Sequence, residues 1–436
     1  MKILSTTQIQ AWDEFTIKQE NTESLALMEK ASNTFAIWFM KQFPDKAKTV
    51  YVFCGNGNNG GDGFAISRLL IQADYQVNVL LQAKPNKRSK DNETNLEILQ
   101  NMSQLKLWEI ARLEDVPTIE KSSIVIDALF GTGLKGELRG FFKDLVKFLN
   151  DLNCKRVSVD IPTGLQGEIH SRGVIFQADC TFSFEQPKLA FLFPENQQYV
   201  GKWTAKSIGL SEKYYSQETT TNFLLTKKIA QSLTKKRGKF EHKGNFGHAL
   251  LLMGSKGKIG AAVLSSYACM RAGSGLTTIY TPSCGYSVLQ TSIPEVMVIA
   301  DEKEDYISCL PETEGYTTIG LGCGIGTNQE TQSVVFDLVK SATQALVLDA
   351  DALNSIAKNK AILSEIPKNS ILTPHPKEFE RLFGKTANDF ERNELQRKKS
   401  INLGCYILLK GAHSCISTPE GNCYFNTAGN PGMATA

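Results

Sequence analysis

Residues 50–63 read V-Y-V-F-C-G-N-G-N-N-G-G-D-G, and no other stretch limits the possible folds so sharply. The apolar, β-branched and aromatic run over 50–54 predicts a strand. Five glycines and three asparagines break it, and helical spacing resumes over 64–71. Glycines let a backbone take positive φ and pass close to a ligand, while N–H groups at a helix start favour an anion. The loop is therefore expected to hold a phosphate.

Gly55, Gly57 and Gly60 also satisfy G-x-G-x-x-G, the dinucleotide fingerprint. That fold needs a carboxylate about 20 residues further on, at the end of the second strand, for the ribose hydroxyls. Here the second strand, over 77–81, runs into Gln82, Ala83 and Lys84. An ordinary Rossmann dehydrogenase is disfavoured, and the asparagines and Asp62 are the unusual part, because a plain phosphate cradle has no need of their side chains.

At 436 residues the chain suits two domains. A polar, aperiodic segment over 210–221 predicts the linker, giving domains 1–215 and 216–436. The 48 basic and 45 acidic residues are well mixed, so no nucleic-acid or membrane face is expected. No apolar run approaches the roughly 18 residues of a membrane span, and a cytoplasmic protein is expected. Ten cysteines without a C-x-x-C pair and five unclustered histidines argue against zinc.

Overlapping S/T-x-x-Q capping boxes over 5–10 open a polar helix through Trp12 and Phe15. A second helix from Glu23 carries Leu25, Met28, Phe35 and Phe39 on one face. The pair is read as a hairpin covering a sheet or forming a subunit interface. Strands and helices then alternate, which predicts a parallel sheet with helices on both faces and ligands at the carboxyl ends of its strands. Three strand ends carry chemistry: the 55–63 loop, the strand over 124–130 bearing Asp127 into a glycine-rich loop, and Asp160-Ile-Pro-Thr163-Gly. Neighbouring carboxylates are costly to desolvate without a cation or proton between them. Asn59, Asp127 and Thr163 are oxygen donors suited to potassium or magnesium. Asp160 is then left free for proton transfer.

The second half repeats the alternation. Its strand over 249–253 leads into the small-residue helix over 260–272, and glycines 320, 322, 324 and 326 follow the next sheet strand. Asp349 and Asp351 sit at a strand end and are read as part of a magnesium or nucleotide region. His375 lies between prolines before a helix, and Lys410-Gly-Ala-His-Ser414 closes a strand.

These motifs resemble the bacterial bifunctional NAD(P)H-hydrate repair enzymes, which join an NAD(P)HX epimerase to an NAD(P)HX dehydratase. N-N-G-G-D-G at 58–63, D-A-L-F-G-T-G-L-K-G-E at 127–137 and D-I-P-T-G at 160–164 match the epimerase part. G-A-A-V-L-S-S at 260–266, T-P-H-P-K-E-F-E-R-L at 373–382, K-G-A-H-S at 410–414 and G-N-P-G-M-A-T at 429–435 match the dehydratase part. The resemblance implies an α/β chain with an N-terminal Rossmann-like three-layer domain and a C-terminal ribokinase-like domain. It implies NADHX and NADPHX as substrates, epimerised in the first domain and dehydrated in the second at the expense of ADP with Mg2+, ATP remaining open. It places substrate on Asn58, Asn59, Gly60, Gly61 and Asp62, on Gly131, Thr132, Gly133, Leu134, Lys135, Gly136 and Glu137, and on Asp160. Potassium is implied at Asn59, Asp127 and Thr163, with Asp160 as the catalytic acid/base. In the second domain it places substrate at Ala261, Gly324 and His375, and nucleotide at Lys410, Gly411, Ala412, His413, Ser414 and Gly429. In the family, G-N-P-G-M-A-T continues into a G-S-G-D turn carrying the base. The sequence ends at Ala436, so the dehydratase part is expected to be incomplete.

Two other readings compete. A vitamin or sugar kinase with an accessory domain explains only the second half, and a nucleotide-binding scaffold leaves Asp127 and Asp160 without a task. A homo-oligomer using the hairpin over 7–41 is expected.

Overall fold

The computed structural model describes residues 1–436 except Asn86, Lys235, Pro431 and 433–436. The residues 431 and 433–435 of the G-N-P-G-M-A-T run thus lie outside the described residues. The chain divides into an N-terminal unit, Lys2–Thr220, and a C-terminal unit that gathers Met1 with Thr221–Ala436.

In the N-terminal unit Ser5 caps α1 (Thr6–Glu20) and completes a capping box with Gln8, as the S-x-x-Q spacing predicts. After α2 (Ser24–Gln42) come β1 (Val50–Cys54), α3 (Asn58–Gln72), β2 (Val77–Gln82), α4 (Lys90–Gln100) and β3 (Lys106–Ile110). They are followed by β4 (Ile124–Ala128), α5 (Gly140–Asp151), β5 (Lys155–Val159), β6 (Cys180–Phe184) and β7 (Lys202–Lys206). The sheet order is β3-β2-β1-β4-β5-β6-β7, with every pairing parallel. Strand β1 is buried on both faces because side chains alternate. Val50 and Val52 join Phe35, Phe39 and Phe64, while Tyr51 and Phe53 join Leu145, Leu149 and Phe176. The chain reverses direction across the sheet between β1 and β4, and in open α/β sheets a ligand crevice opens at that point.

Three expectations need correction. Helix α3 begins at Asn58, not near Phe64, so the N-N-G-G-D run forms its first turn. None of Gly55, Gly57, Gly60, Gly61 or Gly63 takes positive φ. Gly55, Gly60, Gly61 and Gly63 are glycines for contact, whereas Gly57 faces open space. A Cβ at Gly60 would stand 1.9 Å from the Gly55 carbonyl oxygen, and one at Gly63 would stand 2.7 Å from both Ala128 Cβ and Cys54 Sγ. The segment read as a linker is ordered, with a helix at Glu212–Gln217 capped by Ser211. Its Tyr215 ring stacks on Trp12 at 5.1 Å, and Trp12 Nε1 donates to Ser211 O at 2.8 Å. Its apolar partners come from α1, about 200 residues away, so no local periodicity shows them.

The C-terminal unit contains β8 (Asn222–Leu224), β9 (His248–Leu252), β10 (Leu276–Thr281), β11 (Met297–Ala300), β12 (Thr318–Leu321) and β13 (Leu346–Leu348). Strands β14 (Ile371–Leu372), β15 (Tyr406–Leu409), β16 (Ser414–Ser417) and β17 (Cys423–Asn426) complete it. Their order is β11-β10-β9-β12-β13-β14-β15-β16-β17-β8, parallel except for the antiparallel pairs β15–β16 and β16–β17. The chain reverses here between β9 and β12. The small-residue helix Ile259–Ala272 follows β9. Among the described residues no helix is long and apolar enough to cross a membrane.

Candidate active site

A cleft of about 530 Å³ opens at the reversal point of the N-terminal sheet. The start of α3 supplies Asn58, Asn59 and Asp62, the loop after β4 supplies Gly131 to Lys135, and the end of β5 supplies Asp160. The first-turn N–H groups of a helix have no intrahelical acceptor, so the positive end of α3 faces this space. Asn92, fully buried on α4, holds the loop in place. Its Nδ2 donates to Gly55 O at 3.0 Å and Gly57 O at 2.9 Å.

Asp160 adopts φ +63°, a left-handed conformation that costs a non-glycine residue energy and often marks a functional site. It was expected to be free for proton transfer. Instead the Lys188 ammonium, 1% exposed, lies 2.8 Å from Asp160 Oδ1 and also donates to Ser183 Oγ at 3.0 Å. Phe184 N donates to the same carboxyl oxygen at 3.3 Å. A buried cation needs a paired anion, so this ion pair is built into the cleft wall.

Asp13, Asp62, Asp91 and Glu185 also line the cleft, and two of these carboxyls are shifted. Asp62 accepts from Ser32 Oγ at 3.3 Å, and burial together with the Asp160 charge raises its pKa well above the usual carboxylate range. Asp13, on α1, is pushed up to about 7 by burial and then by Asp160, with Lys188 opposing. The hairpin of α1 and α2 thus forms a wall of the site through Asp13, Leu27, Met28 and Ala31, and is more than a cover for the sheet.

Asp127 is completely buried and its pKa rises to about 6 through desolvation, opposed by hydrogen bonds. Thr163 Oγ1 donates to it at 2.6 Å and Thr163 N at 2.8 Å, while Leu129 N and Ser158 Oγ donate at 3.2 and 3.3 Å. Among the described residues no cationic side chain pairs with it. Asn59 packs on Gly131, where a Cβ would stand 3.3 Å from Asn59 Cβ, and its buried Nδ2 has no hydrogen-bond partner. The two ends of an amide are exchangeable on hydrogen-bonding grounds, so this unpartnered end can equally present oxygen. The unpartnered Asn59 amide and the Asp127 carboxyl, which has no cationic partner, are oxygen donors of the kind a hard cation takes.

Of the expected residues, Asn58, Asn59, Asp62, Gly131 to Lys135 and Asp160 line the cleft, whereas Gly60, Gly61, Gly136 and Glu137 do not, and Asp127 and Thr163 are buried behind it. Glu137 packs against Gly173. Sequence reasoning missed Asp13, Lys188 and Asn92. Lys188 carried a signal, since it stands between Pro187 and the apolar run over 189–193.

In the C-terminal unit the strand ends also converge. Gly254 N donates to Cys323 O at 2.9 Å and Ser255 Oγ to Gly324 O at 2.7 Å, joining the loops after β9 and β12. Gly324 has φ +72°, and a Cβ there would meet Ala261 Cβ at 3.0 Å, so these two residues do stand together. Lys410 Nζ reaches Asp349 Oδ1 at 2.7 Å, and Lys410 N donates to Pro374 O at 3.0 Å. His375 caps the helix Pro376–Phe383, its Nδ1 accepting from Lys377 N at 3.1 Å and Glu378 N at 3.3 Å. Gly429 lies close to Ala412, whose carbonyl oxygen would be 3.1 Å from an added Cβ. No cluster of three or more His, Cys, Asp or Glu able to hold a metal occurs among the described residues.

Residues 24–190 match the family model of YjeF-related protein N-termini, and residues 249–436 match the NAD(P)H-hydrate dehydratase model. The bifunctional NAD(P)H-hydrate repair enzyme of Moorella thermoacetica is 31% identical over all of this chain and 85% of its own length. That of Escherichia coli is 30% identical over 90% of this chain and 74% of its own. An ADP/ATP-dependent NAD(P)H-hydrate dehydratase from Bacillus subtilis, crystallised with ATP/Mg2+, is 31% identical over 49% of this chain and 76% of that one, with a TM-score of 0.43.

Proposed function

The chain belongs to the bifunctional NAD(P)H-hydrate repair enzymes, and on that premise we propose how its two units divide the work. The protein is an isomerase and a lyase. It interconverts the two epimers of hydrated NAD(P)H and dehydrates one of them to NAD(P)H. Epimerisation belongs to Lys2–Thr220 and dehydration to Thr221–Ala436. Whole-chain likeness to a repair enzyme gives the N-terminal half a task that a lone kinase reading denies it.

The observation that carries the epimerase assignment is the Asp160–Lys188 pair set into a cleft beside the N-terminus of α3. The substrate carries a hydroxyl on a carbon next to its ring nitrogen. Its phosphates suit the α3 N-terminus and Lys135, and its reactive ring suits the apolar wall of Leu27 and Met28. Asn58 to Asp62, Gly131 to Lys135 and Asp160 bind it, and Asp160 handles a proton at the reacting carbon. Potassium would be held by Asn59, Asp127 and Thr163, where it supplies charge balance and fixes the loops. The unpartnered Asn59 amide supports that assignment.

In the C-terminal unit substrate is assigned to Ala261, Gly324 and His375, and the adenine nucleotide to Lys410 to Ser414 and Gly429. Hydroxide is a poor leaving group, and phosphorylation by ADP turns it into a good one. The Lys410–Asp349 pair sets the ammonium at the strand end where those phosphates would lie. With no carboxylate cluster present among the described residues, Mg2+ would arrive on the nucleotide phosphates. Ten free thiols support a reducing, cytoplasmic setting.

The test follows both epimers of NADHX by chromatography with potassium, then with ADP and Mg2+. Interconversion followed by return of NADH is expected. Two inert epimers would refute the epimerase assignment, and NADH that fails to return would refute the dehydratase assignment for this chain.

A further inference from the structure

Loss of the substrate hydroxyl through its ring nitrogen needs a proton donor, and the Asp160 carboxyl already has an ammonium against it. The cleft holds a carboxyl in a different setting. On α1, Ile9, Asp13 and Ile17 follow at i, i+4 and i+8, so one helix face turns them all towards the cleft. Asp13 is thus flanked one turn before and one turn after by isoleucine. Among the described residues no side chain or N–H hydrogen-bonds its carboxyl. The residue before it is fixed in place, since Trp12 is bonded to Ser211 and stacked on Tyr215. Two carboxyls of one cleft, Asp160 ion-paired and Asp13 set between two isoleucines without a hydrogen-bond donor, form the arrangement that separates an acid from a base.

Resting on the epimerase reading, we propose that Asp13 is the proton donor for departure of the substrate hydroxyl. The ring-nitrogen lone pair forms a C=N bond as the C–O bond breaks, and the oxygen takes the Asp13 proton and leaves as water. Water then adds to the other face of the cationic carbon, the C=N electrons return to nitrogen, and Asp160 accepts the released proton. Solvent returns a proton to Asp13 and removes one from Asp160. The product is the other epimer, with no net oxidation and no co-reactant.

Burial holds the Asp13 carboxyl protonated up to about pH 7, which supports the role. The charged groups facing it are Asp62 on α3, Asp160 after β5, and Glu185 and Lys188 after β6, with Glu14 on its own helix. Asp62 is also shifted upward, but its carboxyl is engaged by Ser32.

The experiment measures epimerisation of one pure NADHX epimer by the full chain and by Asp13→Asn, Asp13→Glu and Asp62→Asn, from pH 5 to 9. The wild type is expected to lose kcat/KM as pH rises through about 7. Asp13→Asn should lower kcat by roughly 10²- to 10³-fold with KM little changed, and should lose that limb. Asp13→Glu should recover part of the rate. Melting of Asp13→Asn no lower than wild type at pH 8 separates this from misfolding. An Asp13→Asn rate within about 3-fold of wild type with the limb intact, or a limb that disappears only in Asp62→Asn, would overturn the proposal. A wild-type chain inert towards both epimers would remove the parent reading as well.

Discussion

Replacing Lys188 by methionine tests how far the N-terminal unit depends on its buried charge pair. Methionine retains much of the lysine stem's volume and removes the charge, so packing changes little. Asp160, whose side chain is 14% exposed, would then keep Phe184 N as a hydrogen-bond donor but lose the ammonium 2.8 Å away. Removing one partner of a buried pair costs about 3–5 kcal/mol. Asp160 opens onto the cleft and regains some water, so the lower end, about 3 kcal/mol, is expected. For a unit of this size each kcal/mol lowers Tm by about 2–4 °C, which gives a fall of about 6–12 °C. Calorimetry on the full chain reads the transition of the N-terminal unit. Adding Asp160→Asn removes the orphaned charge and should restore more than half of the loss, a coupling that two independent substitutions would not show. A Lys188→Met protein that melts within about 2 °C of wild type at pH 8 would refute the claim that the pair is buried and structural.

Asp13→Asn should stabilise the protein in a pH-dependent way. The native carboxyl is raised to about 7 from 3.8, so between those values the native state holds a proton that the unfolded chain releases. Wild-type stability therefore falls as pH rises through that window. The variant should gain nothing at pH 3 and roughly 2–4 kcal/mol above pH 7, and an equal gain at both would refute the shift. Gly60→Ala places a methyl 1.9 Å from a backbone oxygen that cannot move aside, so loss of more than about 4 kcal/mol or insoluble protein is expected. A Gly60→Ala chain of native stability would mean that α3 does not pack as described. Potassium at 100-fold excess over its Kd should stabilise the N-terminal unit by about 2.7 kcal/mol and so raise its melting point. Thr163→Val, which removes the hydroxyl that bonds Asp127 and the Phe130 backbone, should abolish the rise; an undiminished response would place the ion elsewhere. In the other unit, Lys410→Met should weaken ADP binding at least tenfold by calorimetric titration while leaving potassium stabilisation intact.

Asp127 and Asp160 were legible because each ends an apolar strand, where a carboxylate has no packing reason to be. Chain order also predicted the two parallel sheets and the convergence of their strand ends. Lys188 and Asp13 were not placed, since their significance depends on which distant elements bury them. Asp13 reads as a charge on a polar helix until α2 and the Glu212–Gln217 helix pack around α1. The edge strand β3 carries Lys106 and Glu109 among its five residues, so its alternation is weak. The early start of α3 was hidden by Gly60 and Gly61, which lower helix propensity and are retained because side chains there would strike Gly55 and Met28.

The stacking of Trp12 on Tyr214 and Tyr215 also bears on the order in which the chain becomes functional. As the protein is synthesised from its N-terminus, α1 emerges about 200 residues before the segment that fixes it, and loop closure over that distance is slow. The sheet can assemble first, leaving Asp13 without its place in the cleft wall. The last residues of the N-terminal unit are therefore needed to fix the helix that brings Asp13 to the cleft wall, about 200 residues earlier in the chain.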